Sequence, residues 1–155
     1  GGGKIGMMGV IADTMVAQKG EVIGVIQKLL EHEEVIHPGV SEMIVVKKMS
    51  ERKVIMSKLV DGYIALPGGF GTLDELFEAL TLGQLHIEQK PIGLLNVNGF
   101  FDYQLKQLDV MVQEGYLKSK NREMLLVDTT VDGLIQQMQN YHAPEISHVI
   151  NKVVR

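Results

Sequence analysis

Within one short stretch, Asp61-Gly62-Tyr63-Ile64-Ala65-Leu66-Pro67-Gly68-Gly69-Phe70-Gly71-Thr72-Leu73-Asp74-Glu75, the chain changes period, composition and chemistry. The apolar run at residues 63–66, bounded by Gly62 and Pro67, predicts a strand buried on both faces of a parallel sheet. From Leu73 the apolar residues fall at Leu73, Leu76, Phe77 and Leu80, which is a helical stripe. Three glycines between them remove side chains where a strand hands over to a helix, so backbone N–H groups can close on a ligand. A helix N-terminus carries partial positive charge and unpaired donors, which makes this an anion site suited to a phosphate.

The stretch has no Lys after its last glycine, so it is not the triphosphate loop G-x-x-x-x-G-K-[ST]. A purely structural alternative makes Thr72 the N-cap and Glu75 the partner that closes a T-x-x-E capping box. Such a box needs at most one glycine nearby, and this loop has three. Gly1, Gly3 and Gly6 also satisfy G-x-G-x-x-G ahead of a helix predicted at residues 5–18. A dinucleotide site would want an acidic residue at the end of the next strand, but residues 21–26 run into Gln27-Lys28.

The polar segment 28–40 holds His32, Glu33, Glu34 and His37. The two histidines are not at the spacing of H-E-x-x-H, so a solvated loop is expected there and no metal site. A strand follows at about residues 43–47, then a helix at 48–60. At about 100° per residue, Arg52 and Lys53 fall inside the stripe of Met49, Met56, Leu59 and Val60, while Glu51 and Lys58 face outward. Two cations on an inward face need a counter-ion or a water-filled cleft. They are candidate ligand-binding groups.

Further strands are predicted at 91–96 and 124–127, with helices to about residue 85, at 100–113 and at 131–141. Strands alternating with helices predict an α/β fold, a Rossmann-like open, mainly parallel sheet with helices on both faces and a ligand crevice at the strands' C-terminal ends. With 155 residues and 45% apolar content, one domain over residues 1–143 is expected. Residues 144–155 form an appendage whose Ile146, Val149, Ile150 and Val153 suit a short amphipathic helix. A net charge of -4 argues against a general nucleic-acid binder. The absence of cysteine excludes disulfides and thiolate metal sites and fits a reducing, cytoplasmic compartment. No apolar run is long enough to span a bilayer, so no membrane partner is expected.

Residues 67–75 match P-G-G-x-G-T-x-x-E, and the chain resembles the Lonely Guy family of cytokinin riboside 5′-monophosphate phosphoribohydrolases, often labelled lysine decarboxylase-like. Gly1-Gly2-Gly3-Lys4-Ile5-Gly6-Met7-Met8-Gly9 is similar to that family's G-G-G-x-x-G-L-M-G, and Met49-Ser50-Glu51-Arg52-Lys53 to M-H-x-R-K. Lys90-Pro91-Ile92-Gly93-Leu94-Leu95-Asn96 and Asn98-Gly99-Phe100-Phe101-Asp102 resemble K-P-x-G-L-x-N and G-Y-Y. In the family the triple glycine follows an earlier strand, helix and strand, so N-terminal strands missing from this chain are expected.

The resemblance implies hydrolysis of the N-glycosidic bond of a purine nucleoside 5′-monophosphate, with Arg52 and Glu75 catalytic. It further implies that Glu34, Lys53, Pro67, Gly68, Gly69, Phe70, Gly71, Thr72 and Thr81 bind substrate or phosphate. A homodimer is implied, and no metal or organic cofactor. Departures from the family pattern are Ser50 for a His, Leu82 for a Trp, and His86-Ile87-Glu88 for Gly-x-His. They fall near the base end of the family's ligand, so reaction type is better supported than base identity. The competing expectation is a non-catalytic carrier or sensor of a phosphorylated ligand, similar to molybdenum-cofactor carrier proteins.

Overall fold

The computed structural model describes residues 1–30 and 36–144. Glu34 and the appendage from residue 145 onward lie outside the described residues. In chain order the elements are α1 (Gly6–Ala17), β1 (Ile23–Gln27), β2 (Glu42–Val46), α2 (Met49–Leu59), β3 (Tyr63–Ala65) and α3 (Phe70–Gln84). They continue with β4 (Ile92–Leu95), α4 (Asp102–Gln113), α5 (Ser119–Arg122), β5 (Leu125–Asp128) and α6 (Val131–Gln139). All strand pairs are parallel: β1 with β2 in one sheet, and β3-β4-β5 in another. The expected α/β architecture of open parallel sheets flanked by helices is thus present. The chain divides into two compact units, Gly1–Val60 and Asp61–Arg155.

In the second unit β4 is central, and all four of its residues are buried. Ile92 and Leu94 pack with Leu76 and Ala79 of α3, Phe101 and Leu108 around α4, and Leu125 of β5. On the other face, α6 lies over β4 and β5, and a Cβ on Gly93 would come within 2.9 Å of Met138 and 3.1 Å of Leu134. A larger residue at 93 would have to displace the Met138 and Leu134 side chains of α6. Truncating the wholly buried Leu94 would cost about 2–5 kcal/mol, the range for a cavity at a core leucine.

The strand expected at residues 63–66 is present, but it is not buried on both faces. Tyr63 and Ala65 pack against the core under α3, whereas Ile64 is 43% exposed. The reason is coverage: among the described residues α6 packs chiefly on β4 and β5, and not on the face of β3 that carries Ile64.

In the first unit Gly24, Val25 and Ile26 are buried in β1, with α2 packed against β1 and β2. Ile36 bridges Gly3 in antiparallel fashion, and the His37 N–H donates to the Gly2 carbonyl at 3.1 Å. The solvated-loop expectation for residues 28–40 fails at His37, which is 5% exposed. Its Nδ1 accepts the Gly39 N–H at 3.1 Å, which leaves the proton on Nε2 to donate to Asp13 Oδ1 at 3.0 Å. An apolar helix with a single acidic residue, α1, is thereby fastened to the turn before β2.

Candidate functional site

The glycine stretch is where the second unit's local structure departs most from its sequence pattern. The helix α3 begins at Phe70, three residues before the apolar stripe starts, with Gly69 as its N-cap and no side chain capping it. Phe70, Gly71 and Thr72 are therefore the first helical turn. Thr72 is inside the helix, where it cannot be an N-cap, so the T-x-x-E capping box is not formed. The first intrahelical bond runs from the Leu73 N–H to the Gly69 carbonyl at 3.2 Å. The N–H groups of Phe70, Gly71 and Thr72 precede it and have no acceptor within the helix.

Each glycine here has its own reason. A Cβ on Gly68 would collide with the Thr72 hydroxyl, so that glycine lets the helix fold back over the loop. A Cβ on Gly69 or Gly71 would meet nothing within 4 Å, and neither residue has a positive φ. Neither internal packing nor backbone conformation demands glycine at these two positions, so the backbone there is left open. Phe70 between them is 93% exposed, while Pro67, Gly68 and Thr72 are half-buried. Glu75 lies one turn into α3 and is half-buried, and its neighbour Asp74 is exposed.

Because β3, β4 and β5 are parallel neighbours, the segments that follow them open on the same edge of the sheet as the glycine loop. After β4 comes Asn96, 8% exposed, whose Nδ2 donates to Asp102 Oδ1 at 2.8 Å and whose Oδ1 accepts the Phe101 N–H at 2.8 Å. The Asn96 N–H donates to the Asp128 carbonyl at 2.8 Å, tying this turn to the end of β5. Asn98 and Gly99 both have positive φ, 52° and 70°. After β5, Thr130 caps α6 by accepting the Gly133 N–H at 3.2 Å. The Thr130 N–H and hydroxyl in turn donate to the Asp128 carboxylate, which holds its pKa below the usual range. Sequence reading missed this rigid frame, although its signal, N-x-N-G-x-x-D directly after a strand, is in the chain.

Thr81 donates its hydroxyl to the Phe77 carbonyl at 2.7 Å, one turn back along α3. Glu88, which stands where the family often has His, accepts from the Tyr63 hydroxyl at 2.8 Å and lies 3.6 Å from Lys90 Nζ. That cluster is at the N-terminal ends of β3 and β4, the edge opposite the glycine loop. The Glu88 departure thus belongs to a polar cluster away from the loop, not beside it.

In the first unit Arg52 and Lys53 are half-buried on α2, and Glu51 and Lys58 are exposed, as the angular reading expects. Arg52 Nε donates to the Val25 carbonyl at 3.0 Å, which holds the guanidinium against the middle of β1. The apolar stripe around it is less buried than expected. Met49 is 38% and Leu59 48% exposed, because no residue of α2 is fully covered. Glu51 braces the start of the helix, where its Oε2 accepts the Lys47 N–H at 3.1 Å. Among the described residues no cluster of His, Asp or Glu could hold a metal ion, and no helix is long and apolar enough to cross a membrane.

The family model described as possible lysine decarboxylase matches residues 8–138. A cytokinin riboside 5′-monophosphate phosphoribohydrolase of Arabidopsis thaliana is 38% identical over 154 residues, covering 99% of this chain and 72% of its own length. Another from the same plant is 39% identical over 141 residues, with 91% and 62% covered. One from Oryza sativa subsp. japonica is 43% identical over 141 residues, with 91% and 58% covered. This chain therefore spans 58–72% of the length of these relatives. With the family model matching residues 8–138 and these relatives 38–43% identical over nearly all of its length, the chain belongs to the Lonely Guy family.

Proposed function

We propose that this chain hydrolyses the N-glycosidic bond of a purine nucleoside 5′-monophosphate, with adenine or an N6-modified adenine as base, to free base and ribose 5-phosphate. The observation that carries the reading is the open start of α3, where Gly69 and Gly71 leave room around backbone donors and Glu75 follows one turn on. The names of the relatives support the substrate class.

In this reading the phosphate sits against the N–H groups of residues 69–72, where the helix dipole favours an anion. Glycosidic cleavage passes through an oxocarbenium-like state. A carboxylate beside the anomeric carbon stabilises that positive charge and takes a proton from the attacking water, and Glu75 has that role. Arg52 and Lys53 bind anionic oxygens, Arg52 as the catalytic partner held by its bond to the Val25 carbonyl. Glu34, Pro67, Gly68, Phe70 and Thr81 complete the binding set by resemblance. No metal or organic cofactor takes part, and the active form is a homodimer in the cytoplasm.

Incubation with AMP and, separately, with adenosine tests the reading, with adenine release as the readout. Turnover of AMP far above that of adenosine is expected, since the loop supplies binding only when a phosphate is present. Equal rates would remove the phosphate assignment. Saturable AMP binding without adenine release would instead favour a carrier of phosphorylated ligands.

A further inference from the structure

Between α3 and the α4–α5 segment, on the helix-covered face of the second unit's sheet, lies a cavity of about 160 Å³. Its lining is mostly apolar, with Leu80, Met111, Leu117 and Leu125 contributing, and its polar side includes Thr81, Gln84, Asn121 and Arg122. Dry cavities of roughly 150 Å³ bind a benzene-sized molecule in other proteins, so this space is large enough for one small ring or branched chain. The rim adds a specific group. Arg122 Nε donates to Asp109 Oδ1 at 2.9 Å, and the Arg122 side chain is 21% exposed. That single bond fixes the guanidinium plane and uses one of its five donors. Among the described residues no further acceptor meets the guanidinium. Asp109 is 64% exposed, so water screens its charge from a second anion at the rim.

We propose that this cavity is a binding site for a small carboxylate with an apolar body, the body lying between α3 and α4 and the carboxylate on Arg122. The apolar wall accounts for the body and the remaining guanidinium donors for the head, because a planar fork of N–H groups matches a carboxylate. Thr81, given above to the substrate-binding set, also lines this cavity, but the proposal does not rest on the hydrolysis and is read by binding alone. An occupant would brace α3, the helix that also carries the glycine loop.

The test uses the whole chain with phenylacetate, toluene and acetate as probes, followed by calorimetry and by the methyl signal of Met111. Saturable phenylacetate binding with a shift of that methyl is expected, toluene binding about tenfold more weakly. Acetate alone should not bind. Arg122→Gln should bring phenylacetate down to the level of toluene, and Leu117→Phe, which fills the cavity, should abolish both. No saturable phenylacetate binding at millimolar concentration, or binding that leaves Met111 unshifted, overturns the proposal. So does an unchanged affinity in Arg122→Gln, a rim variant that does not touch the core and remains informative if Leu117→Phe does not fold.

Discussion

The two glycine-rich stretches look alike in sequence and differ in what their glycines do. In the first unit a Cβ on Gly9 would run into the Lys4 backbone carbonyl, one on Gly2 would come within 2.8 Å of Met43, and Gly6 has φ +66°. Gly9 and Gly6 are demanded by the protein itself, and at Gly2 the Met43 side chain would have to move aside. In the second unit Gly69 and Gly71 face open space with ordinary φ. The contrast separates a glycine motif that closes a fold from one that leaves the backbone free for something outside it. G-x-G-x-x-G at the start of α1 is the better-known phosphate signature, yet its Gly6 and the nearby Gly9 answer structural demands, while the open backbone falls on the other stretch.

The largest expected effect attacks the first half of that contrast. Gly9→Ala places a methyl on a backbone carbonyl that cannot rotate away, so unfolding free energy should drop by on the order of 3 kcal/mol. A denaturant titration showing a loss under about 0.5 kcal/mol would mean that the first stretch is as open as the second.

Next comes Glu75→Gln, which probes what the open stretch serves. Gln keeps the size and the hydrogen-bonding reach of Glu at this position, so the melting temperature should stay within a few degrees. Adenine release from AMP should fall by roughly a hundredfold or more, the scale of losing a general base. Full activity in this variant would leave Glu75 without the proposed role, whatever its stability.

Sequence pattern exposed the strands and helices well wherever one element has one partnered face. The stripe of α3 is real because Leu76 and Ala79 press on β4, and the run at residues 92–95 is buried on both sides as a central strand must be. Reading failed where coverage depends on distant elements. Nothing local says that α6 packs chiefly on β4 and β5 and leaves Ile64 half-open, or that His37 finds Asp13 across twenty-four residues. The start of α3 was misplaced because Phe70 is apolar but exposed, and Gly71 is a poor helix former held in the first turn by context. The glycine loop stands out in the sequence as a group, while the frame of Asn96, Asp102 and Asp128 does not, since its bonds join the end of β4 to the start of α4 and to the end of β5.

A smaller effect sharpens the second half of the contrast. Gly71→Ala adds a methyl in free space on a helical residue, so stability should be unchanged or should rise by up to about 1 kcal/mol. The same methyl intrudes on a ligand that approaches the backbone, so KM for AMP should rise by roughly tenfold, about 1.4 kcal/mol. A variant that melts earlier and binds AMP as before would show a structural glycine there too.

The smallest effect reverses the experiment by adding a glycine where conformation asks for one. His86 follows the C-cap of α3 with φ +56°, the left-handed position that ends many helices, and the family often places Gly there. Its N–H donates to the Gly83 carbonyl at 2.9 Å and the Ile87 N–H to the Leu82 carbonyl at 3.0 Å, so the turn is set by backbone bonds that do not need the imidazole. The ring's Nδ1 is buried and finds no hydrogen-bond partner among the described residues. His86→Gly relieves a left-handed strain of about 1–2 kcal/mol and removes an unsatisfied nitrogen worth about 1–3 kcal/mol. Against this stand about 0.5–1 kcal/mol of added chain entropy in the unfolded state and the lost contacts of a half-buried ring. The balance favours the variant by about 1 kcal/mol, read as a melting temperature higher by about 4 °C. His86→Asn, which tolerates the same φ, should gain part of that. A lower melting temperature in both variants would mean that the ring's packing outweighs the strain, and that the αL position at the end of α3 is a place this chain gains by not using glycine.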